Sequence, residues 1–259
     1  MRKAEWNERA DQYDKWYDTF EGAVEHYVDW VLLQRHLPRN RDAKILDAAG
    51  GTGRMTLPLA KMGFAVTLCD YSSGMLDVAK RKFLKEGVSD RVRILECDVR
   101  LLPFPDEIFD LVLCWDGMIE AVSELVRVTK KHGTMSIFLV NKWRAAIDKF
   151  YEDPDSALTM LKPTASYVRN AQGYGGVSVE ETRRLCEAEG IRMMDVHAVC
   201  GWLDVVPIPQ EILKCRDWDE ELFERTTRMV LKLTEEPSVS GMTRHLVMYG
   251  ERMFGRKSA

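Results

Sequence analysis

Ile45-Leu46-Asp47-Ala48-Ala49-Gly50-Gly51-Thr52-Gly53-Arg54 is the stretch on which the reading of the whole chain turns. An apolar run that passes through an aspartate and then breaks into closely spaced glycines reads as a strand turning sharply into a helix. Glycines at such a turn let the backbone pass close to a ligand and present the helix N-terminus to it. Asp70 ends the next apolar run, Ala65–Asp70, twenty residues beyond Gly50. An acidic side chain at that place can accept hydrogen bonds from both hydroxyls of a ribose. Asp98 follows a third run, Val92–Glu96, with Val99 beside it, and the pair suits an adenine ring. Together these positions describe a site for an adenosine-bearing ligand at the carboxyl edge of a parallel sheet.

Outward from the turn, short apolar runs alternate with amphipathic stretches. Ile45–Ala48 reads as strand one and Arg54–Met62 as its helix, then Ala65–Asp70 as strand two and Gly74–Glu86 as its helix. Val92–Glu96, Phe109–Cys114 and Thr134–Val140 read as strands three to five, with a short helix over Ala121–Val128. Strands alternating with helices imply a parallel sheet covered on both faces. Beyond strand five, Asn141–Gly176 holds one or two helices and a Gly/Tyr loop, and Val179–Glu189 is a helix stopped by Gly190. Ile191–Val199 reads as strand six, Asp217–Thr234 as a helix and Thr243–Glu251 as the last strand. Ahead of the core, Trp6, Ala10, Tyr13, Trp16 and Tyr17 recur at helical spacing, and Val24–Leu32 continues the pattern until Pro38. The expected organisation is one domain over 1–259, with a helical segment at 1–40, a cofactor-binding core at 41–140 and cap insertions at 141–178 and 201–241.

The bulk composition narrows the function classes. With 259 residues, 46% of them hydrophobic, the chain can bury a large core. A net charge of -4 argues against a strongly basic nucleic-acid surface. No stretch approaches the roughly 18 apolar residues of a membrane span, and the charged stretch Met1–Asp14 does not read as a signal peptide. A cytoplasmic location is therefore expected. The six cysteines show no CxxC spacing and the five histidines are scattered, so neither a disulfide framework nor a metal site is expected.

The same turn discriminates between adenosine-bearing ligands. A nicotinamide dinucleotide fingerprint needs a third glycine three residues after Gly53, and Thr56 stands there instead. Asp47 would also repel a pyrophosphate while suiting the ammonium of a methionine moiety. Both features favour a cationic ligand without phosphate over a nicotinamide cofactor.

On these residues the chain resembles the class I S-adenosylmethionine-dependent methyltransferases. Their D/E-x-G-x-G-x-G motif is matched at Asp47, Gly51 and Gly53, with Ala49 in place of the first glycine. Val66–Ser72 followed by Gly74-Met75-Leu76 is similar to the second motif, which brings Tyr71 and Met75 to the cofactor beside Asp70. Leu102-Pro103-Phe104-Pro105 and then Phe109–Cys114 are similar to the third and fourth. The resemblance is nearest to the ubiquinone/menaquinone-biosynthesis-like subfamily and implies S-adenosylmethionine as cofactor. It also implies a Rossmann-like seven-stranded α/β sheet, mostly parallel, ordered 3-2-1-4-5-7-6 with the last strand antiparallel. An N-terminal helix over the donor site follows from the same resemblance, with Tyr17 as its cofactor contact. Fainter likeness to tRNA 5-carboxymethoxyuridine methyltransferases lies in Glu236–Val239 and Arg244-His245-Leu246, whereas Tyr17–Gly22 with Glu25 is acidic where that family is basic.

The acceptor side is read from what surrounds these motifs. Trp115 and Asp116 directly follow strand four, where the fold places the reactive methyl. Trp115 offers an aromatic wall for the sulfonium, and Asp116 a carboxylate able to take a proton from the acceptor or position it. Tyr167, Arg169 and Tyr174 in the first insertion, with Arg244 after the second, suit a planar acceptor carrying an anionic group. The expected activity is methyl transfer to an oxygen or nitrogen of a small or medium-sized molecule. A modified tRNA uridine is the alternative acceptor, and a non-catalytic adenosylmethionine-binding partner subunit is the rival role.

Overall fold

The glycine turn after Ala48 lies at the middle of a seven-stranded sheet ordered β3-β2-β1-β4-β5-β7-β6. The computed structural model describes residues 3–115, 119–162, 176–204 and 208–253. Its strands are β1 (Lys44–Ala48), β2 (Ala65–Asp70), β3 (Val92–Glu96), β4 (Phe109–Cys114), β5 (Thr129–Val140), β6 (Ile191–Val199) and β7 (His245–Arg252). Strands β1 to β5 pair in parallel, and β7 lies antiparallel between β5 and β6. The sheet order and the antiparallel last strand are those expected from the sequence.

Alternation along β1 sends Ile45 to one face of the sheet and Leu46 and Ala48 to the other. On the first face lie α2 (Phe20–Gln34), α3 (Thr56–Lys61), α4 (Ser73–Lys85), the short α9 (Gln210–Leu213) and α10 (Glu220–Thr234). On the second lie α5 (Val122–Val128) and α8 (Val179–Ala188). Two further helices, α6 (Lys142–Phe150) and α7 (Pro154–Met160), leave the end of β5, and α1 (Lys3–Tyr17) packs outside α4 and α2. Ser72, Asn141, Asp153, Ser178 and Asp219 each cap the helix that follows through a side-chain oxygen.

Several boundaries differ from the sequence reading, each for a local reason. The helix after the glycine turn starts at Thr56 instead of Arg54 because Gly53 is left-handed, with φ +76°, and Met55 is still the capping residue. Pro58 then falls in the first turn, where its missing N–H leaves no bond unmade. The N-terminal aromatic pattern is two helices, because Thr19 accepts the Gly22 amide and starts α2 afresh. Strand β5 begins five residues early, at Thr129 instead of Thr134. Its register against β4 jumps between Phe109↔Thr129 and Leu111↔Thr134, so Lys130–Gly133 bulge outward with His132 at φ +62°.

Gly22 sets how closely α1 crosses α2. A Cβ there would lie 2.2 Å from the Trp16 carbonyl oxygen and 2.7 Å from Tyr17 Cα, both backbone atoms that cannot rotate away. Gly22→Ala is expected to force the helices apart and to destabilise the protein by about 1–3 kcal/mol, as overpacking does. Urea unfolding measures the loss, and limited proteolysis should show earlier cleavage within α1. Unchanged stability would mean that the crossing tolerates a methyl group.

Candidate functional site

A cleft opens at the carboxyl ends of β1, β2 and β4. It is lined by Asp47, Ala49, Gly50 and Gly51 from the turn, Asp70, Tyr71 and Met75 after β2, and Trp115 after β4. Trp6 and Tyr13 of α1, with Arg54 and Met55, close it. The structure thus brings together seven of the residues nominated from the sequence for the cofactor. Tyr17, Gly53, Asp98 and Val99 do not line it.

Asp47 is buried at the base of the cleft, where Thr56 Oγ1 donates to its Oδ2 at 2.6 Å. Thr56 is the residue that broke the dinucleotide pattern, and here it is the donor that steadies a buried carboxylate. Burial still pushes the Asp47 pKa up to about 6, against that hydrogen bond and the nearby Arg54 charge. Asp70 is held from two sides. The Gly51 amide donates to Oδ2 at 3.0 Å and the Ser72 amide to Oδ1 at 2.8 Å. Burial raises its pKa while these amides oppose the rise. The carboxylate retains acceptor capacity beyond these amide bonds.

Ala49 stands in the left-handed region at φ 55°, where the related motif carries glycine. An alanine there is strained by about 1–2 kcal/mol. At Gly51, also at φ +55°, the space is open, since a Cβ would meet only Met75 Sδ at 3.9 Å. The requirement for glycine at Gly51 is therefore conformational, and its open side faces the cleft.

Arg54 is the principal site residue that the sequence reading missed. Its guanidinium pairs with the buried Asp29 of α2 at 2.8 Å and lies over the rings of Tyr17 at 4.8 Å and Trp115 at 5.8 Å. Tyr17 therefore meets the site through Arg54 and does not itself line the cleft. Trp115 is fixed independently, its indole N–H donating to Ser136 Oγ at 2.9 Å while its ring stacks on Phe138 at 4.5 Å. Glu25, one turn before Asp29, accepts the Gly201 amide at 2.8 Å, and burial lifts its pKa to about 7.

Helix α1 is latched over this cleft by polar side chains. Asn7 Oδ1 accepts from Ser72 Oγ at 2.7 Å and from the Gly74 amide at 3.0 Å. Asp14 accepts from Thr52 Oγ1 and pairs with Lys82, and Asp11 pairs with Arg81. Trp6 was visible in the sequence as a member of the aromatic stripe, but nothing in its spacing marked it as lining a site.

Asp98 is not among the lining residues, and its two carboxylate oxygens both accept from Arg100. Val99 is buried in the apolar layer beneath β1 and β4. Arg244 lies at the start of β7, its carbonyl accepting the Asn141 amide at 2.9 Å just past the end of β5. It borders a separate cleft with Arg144, Asp148, Met160 and His245. Asp116, Tyr167, Arg169 and Tyr174 lie outside the described residues.

A glycine turn, a buried aspartate beneath it and a second aspartate at the end of β2 on this sheet order define a class I S-adenosylmethionine-dependent methyltransferase. A methyltransferase-domain family model matches residues 45–133. The ubiquinone/menaquinone biosynthesis C-methyltransferase UbiE of Stutzerimonas stutzeri (strain A1501) is 32% identical over 209 residues, which are 74% of this chain and 81% of that protein. The chain belongs to the UbiE-like class I methyltransferases, and S-adenosylmethionine is its cofactor. The UbiE of Azotobacter vinelandii (strain DJ / ATCC BAA-1303) is 29% identical over 153 residues, so the chain matches 60% of that relative's length and 55% of its own. Geranyl diphosphate C-methyltransferase from Streptomyces coelicolor A3(2), solved with Mg2+, geranyl diphosphate and S-adenosyl-L-homocysteine, shares the fold. It superposes with a TM-score of 0.55 at 15% identity, covering 87% of this chain and 79% of that one. Among the described residues, no helix is long and apolar enough to cross a membrane.

Thr56→Val tests the electrostatics of the turn. Above pH 7 Asp47 is ionised, and removing its hydroxyl donor should destabilise the protein by about 1–3 kcal/mol. A carboxyl whose pKa is raised in the folded state favours folding as it becomes protonated, so the penalty should shrink as pH falls through about 6. Urea unfolding at pH 8 and pH 5 makes the comparison, and an equal penalty at both would contradict the raised pKa.

Proposed function

We propose that the chain transfers the methyl group of S-adenosylmethionine to a carbon atom of a small or medium-sized planar acceptor. The sequence reading favoured oxygen or nitrogen. The observation that carries carbon instead is the match along 81% of a ubiquinone/menaquinone biosynthesis C-methyltransferase. Its location as a cytoplasmic enzyme, and the role of segments 141–178 and 201–241 as a cap over the acceptor, belong to the same proposal.

The residues of the cleft divide naturally among the parts of the donor. Asp47 and Arg54 carry opposite charges near one another and suit the ammonium and carboxylate of the methionine moiety. Asp70, oriented by the Gly51 and Ser72 amides, suits the ribose hydroxyls, with Tyr71 and Met75 beside it for the adenine. Trp115, Trp6 and Tyr13 supply aromatic walls that keep water out and favour a cationic centre. When bound, S-adenosylmethionine supplies a methyl group activated by the positive sulfur. The protein's part is then alignment and exclusion of water, which can supply most of the acceleration for a displacement of this kind. Arg244, at the same sheet edge but in the neighbouring cleft, is proposed to bind an anionic group of the acceptor.

Transfer of radiolabelled methyl into fractions of cell extract tests the function. Label should enter small molecules extracted into organic solvent, and nuclear magnetic resonance of the product should place the new methyl on carbon. Label confined to tRNA, or a methyl on oxygen or nitrogen, would overturn the proposal. For the cofactor assignment, Asp70→Ala should weaken S-adenosylmethionine binding by about 1.5–3 kcal/mol, the loss of charge-assisted hydrogen bonds. Calorimetry on the folded variant measures this, and unchanged affinity would remove Asp70 from the site.

A further inference from the structure

Far from the donor cleft, at the β6 edge of the sheet, three side chains converge. His36 follows the end of α2, and Asp195 and His197 sit two residues apart on β6. One imidazole nitrogen from each histidine and one carboxylate oxygen of Asp195 all lie within 4.8 Å of one another. His36 Nε2 is 3.2 Å from Asp195 Oδ2.

The backbone is shaped to make this convergence. The register of β6 against β7 shifts between Met193, opposite Gly250, and Asp195, opposite Tyr249. The extra residue, Met194, is a bulge that turns Asp195 and His197 onto the Tyr249 face of the sheet. His36 is stacked on the Tyr249 ring, with centroids 3.9 Å apart and planes 13° from parallel. Its side chain is 8% exposed and that of Asp195 50% exposed, so one side of the cluster stays open to water.

The hydrogen bonding leaves the cluster incomplete. His197 is buried, and its Nδ1 faces the Thr234 carbonyl oxygen at 3.4 Å. A carbonyl partner there fixes the proton on Nδ1 and leaves the Nε2 lone pair free, the arrangement that metal-binding histidines use. Nε2 of His197 is buried without a hydrogen-bond partner, and Nε2 of His36 has the Asp195 carboxylate 3.2 Å away but no hydrogen bond of good geometry to it. Buried polar nitrogens are rarely left unpaired, and two imidazoles gathered beside one carboxylate are what a cation would satisfy.

We infer that His36, Asp195 and His197 form a binding site for a zinc-like divalent transition metal, with water completing the coordination on the exposed side. Two imidazoles and one carboxylate suit zinc, cobalt or nickel better than magnesium or calcium, which prefer oxygen ligands throughout. Around a tetrahedral zinc the ligand atoms stand about 3.4 Å apart, a value that follows from bond lengths near 2.1 Å. The cluster needs a contraction of little more than an ångström to reach it. The ion would tie the segment after α2 to the edge strand of the sheet. Three strands, β4, β5 and β7, separate β6 from the glycine turn after β1, which makes the role structural and independent of methyl transfer.

Isothermal titration of the chelator-treated full chain with Zn2+ tests the site, together with thermal unfolding with and without the metal. The expected result is one saturable site and a rise in Tm on adding zinc. His197→Gln and His36→Gln should each weaken binding by about tenfold or more and abolish the Tm rise. Asp195→Asn, at a half-exposed position that should not disturb folding, should weaken zinc in the same sense and guards against misfolding of the histidine variants. Cobalt should bind without the absorption of a thiolate complex, which separates this site from the six cysteines. No saturable zinc binding, or equal affinity in the wild type and Asp195→Asn, would overturn the proposal.

Discussion

The ion pair between Arg54 and Asp29 is the constraint on which the site depends. Arg54 belongs to the turn after β1 and Asp29 to α2, so one 2.8 Å contact joins the cofactor turn to the N-terminal helices. Asp29 is 2% exposed, and removing either partner would leave an uncompensated charge, typically at a penalty of about 3–5 kcal/mol. The rings of Tyr17 and Trp115 then close on the same guanidinium, which ties the end of α1 and the end of β4 to it. Without that cation Tyr17 would lose its partner at the cleft, while Trp115 would keep its bond to Ser136 and its stack on Phe138. The segment before the core is thus part of the site's construction.

How much of this could be read from the sequence follows from what kind of signal each feature carries. The sheet was legible because short apolar runs and the glycine break are local, and β1 to β4 fall close to the expected positions. Asp47 and Asp70 were legible because their distance from the glycines is set by one strand and one helix. Asp98 was expected in the cleft by the same logic and is not among its lining residues. Arg100, two residues on, captures its carboxylate, and a competing partner on a loop leaves no periodic trace. Trp6 and Tyr13 were visible as a stripe, but which edge of a stripe faces a cleft depends on the crossing at Gly22. Arg54 had one available signal. It is the first side chain beyond the last glycine, and so the first able to reach over the turn.

The histidines show the opposite limit. In the sequence His36 and His197 are 161 positions apart and nothing links them. Their meeting requires the β7–β6 pairing, the bulge at Met194 and the end of α2, each determined by a different part of the chain. Scattered residues exclude a metal knuckle, in which ligands are close in sequence, but they do not bear on ligands gathered by a sheet edge.

The manner in which α1 is held has a consequence for the order in which the protein opens. Of its fifteen residues, only Ala10 is buried, and the latches from Asn7, Asp11 and Asp14 are polar and water-accessible in part. Its aromatic side chains Trp6, Tyr13 and Tyr17 are only partly buried, so lifting α1 exposes less apolar surface than opening the sheet or α2 would. Such a segment forms a cooperative unit of its own at the low end of the stability scale, and its amides exchange with solvent long before those of β1 or β4. Because the latches are partly ionic, salt shifts that local equilibrium while hardly touching the core.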